Sequence, residues 1–174
     1  MKKLVSILLL TCLPFCLVGC AKLPDPAPAV QAFFDEFFKS DGEAFQMLKK
    51  SASFQDSLAL YPEAGEAIDR VANAIVARMT FEIDDTKTVI ASRDGQANVF
   101  GTITTLTDGA MDNLPTLPVP YTPADWFDYL AETIGSGQLG TQTIDFTLKL
   151  NYDKENGTWV IDALPEFKTS LFAV

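Results

Sequence analysis

Apolar residues follow two different rhythms along this chain, and the change of rhythm divides it. In the first part the spacing is helical. Val30, Phe33, Phe34, Phe37 and Phe38 fall on one side of a helix over Ala29 to Ser40, and a stripe of that width is the core-facing side of an ordinary amphipathic helix. Asp41 is placed to cap a second, short helix on which Phe45 and Leu48 continue the apolar side. After Pro62 a longer helix follows, with Ile68, Val71, Ala72, Ile75, Val76 and Met79 at i, i+3, i+4, i+7, i+8 and i+11. Beyond Met79 the period drops to two. Phe81 and Ile83 alternate with polar neighbours, Lys87 to Ala91 extends the stretch, and Asp94-Gly95 turns it into a strand over Gln96 to Leu106.

From Thr107 to Pro123 neither rhythm holds, and Pro115, Pro118, Pro120 and Pro123 predict a stiff loop. Thr122-Pro123-Ala124-Asp125 is a helix start, with a capping hydroxyl, proline at the first position and an acid two residues on. The helix carries Trp126 to Ile134 and stops at Gly135. The clearest strand is next: Ile144, Phe146, Leu148, Leu150 and Tyr152 share one face, while Thr143, Asp145, Thr147, Lys149 and Asn151 share the other. Asn156-Gly157 turns it into Thr158 to Ala163, with Trp159 and Ile161 facing inward, and a short terminal helix is expected over Pro165 to Phe172.

The first twenty residues have a separate logic. Lys2 and Lys3 precede an apolar run from Leu4 to Val18, too short to span a bilayer and laid out as a secretory signal. It ends in Leu17-Val18-Gly19-Cys20. This tetrapeptide resembles the lipobox of bacterial lipoprotein precursors, and Leu17 at −3 fits that pattern better than the small residue of an ordinary cleavage site. The resemblance implies cleavage between Gly19 and Cys20 and lipid attachment at Cys20. Residues 1–19 are then the leader, 20–28 a lipidated tether and 29–174 a single domain. The membrane is a partner through that anchor: the cell membrane, or the outer membrane in a host with two. In the tether Pro24, Pro26 and Pro28 alternate, which favours an extended conformation reaching about 25 Å over eight residues.

Cleavage changes the available chemistry. Cys12 and Cys16 leave with the leader, the Cys20 sulfur becomes a thioether, and the chain has no histidine. That removes Ser-His-Asp and Cys-His catalysis, thiolate and imidazole metal sites, and thiol redox chemistry; no cofactor and no metal is expected. The chain holds 13 basic and 23 acidic side chains, so losing Lys2 and Lys3 leaves 11 against 23, a net charge of −12. Such a surface is repelled by phosphodiester backbones, and no basic stripe offers nucleic acid a binding face.

Three motifs have plain explanations. Gly135-Ser136-Gly137-Gln138-Leu139-Gly140 matches G-x-G-x-x-G, but a helix precedes it and a strand follows, the reverse of the dinucleotide-binding context. It is a connector. Asn151, Asp153, Glu155 and Asp162 sit at calcium-loop positions, yet Asn156 stands where glycine is required and a hairpin explains the same letters. Asp128, Tyr129, Tyr152 and Asp162 are nominal partners for proton transfer without histidine; no spacing brings two of them together. Trp126, Phe127, Tyr129 and Leu130 give the proline-flanked helix apolar residues round much of its girth. They make it either a helix buried on several sides or a lid or partner-docking surface.

Helices first and hairpin-linked strands afterwards define an α+β domain. The Val30-Gln31-Ala32-Phe33-Phe34 helix followed by Asp41-Gly42-Glu43, and a late strand pair closing on Trp159-Val160-Ile161, resemble the cystatin-like or NTF2-like domains of uncharacterised bacterial lipoproteins. The resemblance implies N-terminal helices on a curved antiparallel sheet forming a cone, with the Trp126 to Ile134 helix inserted between strands. The lipid anchor, the missing catalytic residue types and the surplus of aromatics favour a non-enzymatic extracytoplasmic domain that binds a ligand or an envelope protein. The alternative left open is a carboxylate- and Tyr-dependent hydrolase or isomerase with its site inside the cone.

Overall fold

A computed structural model describes residues 22–107, 109–110, 114, 117 and 120–162. Cys20, the leader, most of the proline-rich loop and the expected terminal helix lie outside the described residues. Five α-helices and five strands are seen among them: α1 (Ala27–Phe37), α2 (Glu43–Lys50), α3 (Ala52–Leu60), α4 (Gly65–Ala77), β1 (Thr80–Ile83), β2 (Val89–Ala91), β3 (Gln96–Leu106), α5 (Pro123–Gly135), β4 (Thr141–Asp153) and β5 (Thr158–Ile161). The fold is α+β, with the helices on a curled antiparallel sheet and α5 inserted between β3 and β4.

The sheet runs β1-β3-β4-β5, with β2 following β1 along the same edge of β3. Its spine is the β3–β4 pair, in register from Gln96 opposite Asn151 to Leu106 opposite Thr141. Period-two alternation then sends Val99, Ile103, Phe146, Leu148 and Leu150 inward, where all are buried. Asn98, Thr102, Asp145, Thr147 and Lys149 take the opposite, solvent face.

α1 lies against this inner face. Phe34 is fully buried, its ring 4.4 Å from that of Phe81 on β1 and 4.9 Å from that of Phe146 on β4. The helix starts two residues before the sequence spacing places it. Asp25 Oδ1 accepts from the Ala27 N–H, and Pro28 fits in the first turn because no helical bond needs its missing N–H. Pro26 is buried, and the Trp159 indole N–H donates to the Pro24 carbonyl at 2.9 Å. Pro24 and Pro26 therefore belong to the folded domain, although their alternation reads as a tether.

Two further elements differ from the sequence reading. Gly42, and not Asp41, stands at the N-cap of α2. A Cβ at Gly42 would meet the Phe37 carbonyl oxygen at 2.7 Å and collide with that of Glu36, so the tight turn requires glycine, while Asp41 lies 3.8 Å from Lys39. α3 was not foreshadowed by any stripe; none of its residues is fully buried, and only Phe54 and Leu58 lean on the core. α4 matches its pattern, with Ile68, Val71, Ala72, Ile75 and Val76 all buried.

Candidate functional site

α5 is the element whose sequence left its role open. Its start is fixed locally: the Thr122 hydroxyl accepts from the Asp125 N–H at 3.2 Å, and the Asp125 carboxylate accepts from the Thr122 N–H at 2.8 Å. This reciprocal cap satisfies two N–H groups that the helix leaves free. The Thr122 N–H, with the Thr122 hydroxyl behind it, holds the Asp125 carboxyl below its ordinary range.

α5 packs chiefly along α4. Their C-terminal ends meet where the Arg78 guanidinium, at the end of α4, stands over Gly137; lower down, Arg70 pairs with Asp128 at 2.6 Å. The two helices thus run side by side in the same direction. The Asp128 hydrogen bond raises the Arg70 pKa, but both groups are exposed and the pair adds orientation more than stability. The Arg78 Nε is buried with no acceptor among the described residues, and its guanidinium faces the partial negative charge of the α5 C-terminus.

The four apolar residues singled out on α5 divide into two pairs. Phe127 and Leu130 are buried, and the Phe127 ring meets Tyr61 edge-on at 5.9 Å. They face the core and present no surface. Trp126 and Tyr129 are half-buried, 5.9 Å apart, and Tyr121 extends the row 6.5 Å beyond Trp126 with 48% of its surface exposed. Tyr61 is 40% exposed, and Leu60 beside it 70%. Tyr121 lies before α5 and Tyr61 before α4, outside the helical spacing that marks the other residues, and their aromatic character is the one sequence signal that could have found them.

The inner side of the sheet is lined by buried aromatic residues. Phe34, Phe37, Phe146 and Trp159 are buried there, and Phe33 stacks on Phe37 at 5.5 Å. The four groups named for proton transfer each have other contacts. Asp128 is paired with Arg70, Tyr129 lies against Trp126, and Tyr152 packs edge-on to Trp159 at 5.2 Å. Asp162 follows β5, its N–H donating to the Lys149 carbonyl. On the solvent face a shallow hollow of about 100 Å³ lies among Val89, Gln96, Asn98, Lys149, Asn151 and Asp162, below the several hundred Å³ of a typical small-molecule site.

The remaining motifs resolve into local structure. The Asp153 carboxylate accepts from the Asn156 side chain and from the Asn156 and Glu155 N–H groups; these bonds depress its pKa and close the β4–β5 hairpin, in which Gly157 takes φ +69°. At the β1–β2 junction the Thr86 hydroxyl and the Lys87 ammonium bring the Asp84 carboxyl down to about 2. Within Gly135 to Gly140 only Gly137 has positive φ, at +78°, whereas a Cβ on Gly135 would touch nothing within 4 Å. Gly135→Ala is therefore expected to raise stability by about 0.4–1 kcal/mol, and Gly137→Ala to lower it. Denaturant titration of the two variants checks the difference in sign.

An α+β cone with buried aromatic residues on its inner side and a partly exposed aromatic row along its inserted helix is the class this geometry defines. Comparison with protein-family models, with curated proteins and with solved structures returns no match. No described helix is long and apolar enough to cross a membrane.

Proposed function

We propose that this chain is a lipid-anchored domain of the bacterial cell envelope, of the cystatin-like or NTF2-like kind, cut between Gly19 and Cys20 and held to the membrane by lipid on Cys20. Its task is to bind an envelope protein or a small ligand, and it does so without catalysing a reaction. The observation that carries the binding role is the division of aromatic residues. Phe34, Phe37, Phe146 and Trp159 are buried on the inner side of the sheet, while Tyr121, Trp126 and Tyr129 stay partly exposed in one row. Tyr and Trp give large contact area at small entropic cost, and for that reason they dominate interface hot spots. The anchor reading is supported by Leu17-Val18-Gly19-Cys20 behind a basic, then apolar, leader.

A photo-crosslinking residue placed at position 129, in intact cells, tests the binding role. The expected result is a discrete adduct from position 129 that is missing when the same group is placed at position 147, on the polar solvent face of β4. Identical adducts from both positions, or none from position 129, contradict it.

A further inference from the structure

We propose that the end of the sheet bearing the β2–β3 and β4–β5 turns is the face this domain lays against the bilayer, with the glycine connector after α5 held at the far end. The inference rests on the lipid-anchor reading and adds an orientation to it. Three contacts fix where the anchored chain enters the fold. Leu23 is half-buried against the core, the Trp159 indole holds the Pro24 carbonyl at 2.9 Å, and Pro26 is buried. From Pro24 onward the backbone is part of the domain.

Only four residue steps separate Cys20 from Pro24, and at the full extension of a peptide chain they reach about 14 Å. A lipidated Cys20 lies at the membrane interface, so the Pro24–Trp159 contact is never further than that from the surface. A free eight-residue tether would have allowed the domain to tumble. Docking at Pro24 leaves only half of that length free.

Trp159 marks which end is held. It pairs with Tyr152 next to the β4–β5 turn, and the Tyr152 N–H donates to the Gly95 carbonyl in the β2–β3 turn. The far end is where Leu106 meets Thr141 and the Gly135 to Gly140 connector enters β4. The eleven residues of β3 make ten steps, which separate the two ends by about 32–34 Å at the rise of an antiparallel strand. Charge favours the same face. Exposed Lys22, Arg93 and Lys154 offset most of the charge of Asp25, Asp94, Asp153 and Glu155 there, whereas the cleaved chain as a whole carries −12 by the count above. The surface that fits this end is a zwitterionic bilayer.

The test uses lipidated full-length protein in phosphatidylcholine vesicles carrying an acceptor dye on a fraction of the headgroups. Lipidation consumes the Cys20 thiol and cleavage removes Cys12 and Cys16, so Asn156→Cys and Ser136→Cys each give one labelling site. Energy transfer to the headgroups is expected to be stronger from position 156 than from position 136, as the separation of the two ends requires. Adding Trp159→Phe, which removes the bond to Pro24 and keeps an aromatic ring, is expected to bring the two efficiencies closer while the protein stays on the vesicles. Equal transfer from the two positions in the parent protein, or stronger transfer from position 136, overturns the orientation. Failure of the protein to co-sediment with the vesicles overturns the anchor reading itself and is scored before any transfer is measured.

Discussion

Replacing Phe34 with alanine is expected to cost the domain about 3–5 kcal/mol, the range for removing a fully buried aromatic side chain. Phe34 has the setting for the upper part of that range. Its ring contacts Phe33 and Phe38 on its own helix, Phe81 on one strand and Phe146 on another. The cavity would open between α1 and two strands of one sheet, and strands cannot close in on it without breaking register. Since domains of this size have about 5–15 kcal/mol in total, the variant should be close to its unfolding transition under mild conditions. Phe100 supplies the comparison. It lies in β3 between Asn98 and Thr102, on the solvent face opposite Thr147, and is only half-buried. Phe100→Ala should cost less than half as much as Phe34→Ala, and urea midpoints for the two variants measure the difference. Equal losses would mean that the sheet faces are assigned wrongly.

Gly101→Ala is expected to be the second most damaging change, by about 1–3 kcal/mol or more. An alanine in place of glycine in a strand usually helps, because glycine surrenders more backbone freedom on folding. Here the sign reverses. Gly101 faces Phe146 across the β3–β4 ladder, and a Cβ would come within 2.5 Å of the Phe146 Cζ and strike the Glu82 carbonyl of β1. The ring could swing aside only into the Phe34 contact, and the carbonyl is fixed by its strand. Either motion disturbs the α1–sheet packing on which Phe34 depends. The two substitutions should therefore be non-additive, since they share one partner ring. A thermal or chemical unfolding series on the single and double variants checks both the sign and the coupling.

Much of the fold was legible because burial imposes a period. β4 declared itself through Ile144, Phe146, Leu148 and Leu150, and α4 through Ile68 to Val76, for in each a single face meets a single core. α3 gave no such signal, because a helix with no fully buried residue needs no stripe. The cap of α2 was misread for another reason. What selects Gly42 over Asp41 is the approach of the Glu36 and Phe37 carbonyls, and a close backbone approach leaves no spacing behind. The Asp25 cap at the start of α1 lies within reach of a local rule, but the contact of Trp159 with Pro24 across 135 residues, which docks the segment before it, does not. At the candidate site the apolar girth of α5 was plain. Which of Trp126, Phe127, Tyr129 and Leu130 would face inward was not, since that was settled by α4 and by Tyr61.

The proposed anchoring, and with it the proposed loss of every free thiol, turns on one residue, Cys20. The same residue supplies the membrane end of the orientation inferred for the sheet. Mass spectrometry of the N-terminal peptide, from protein extracted from membranes, tests this most directly. The account predicts a mature chain beginning at Cys20, with residues 1–19 missing and the cysteine sulfur carrying lipid. A chain that still begins at Met1, or that carries Cys20 as a free thiol, would contradict it.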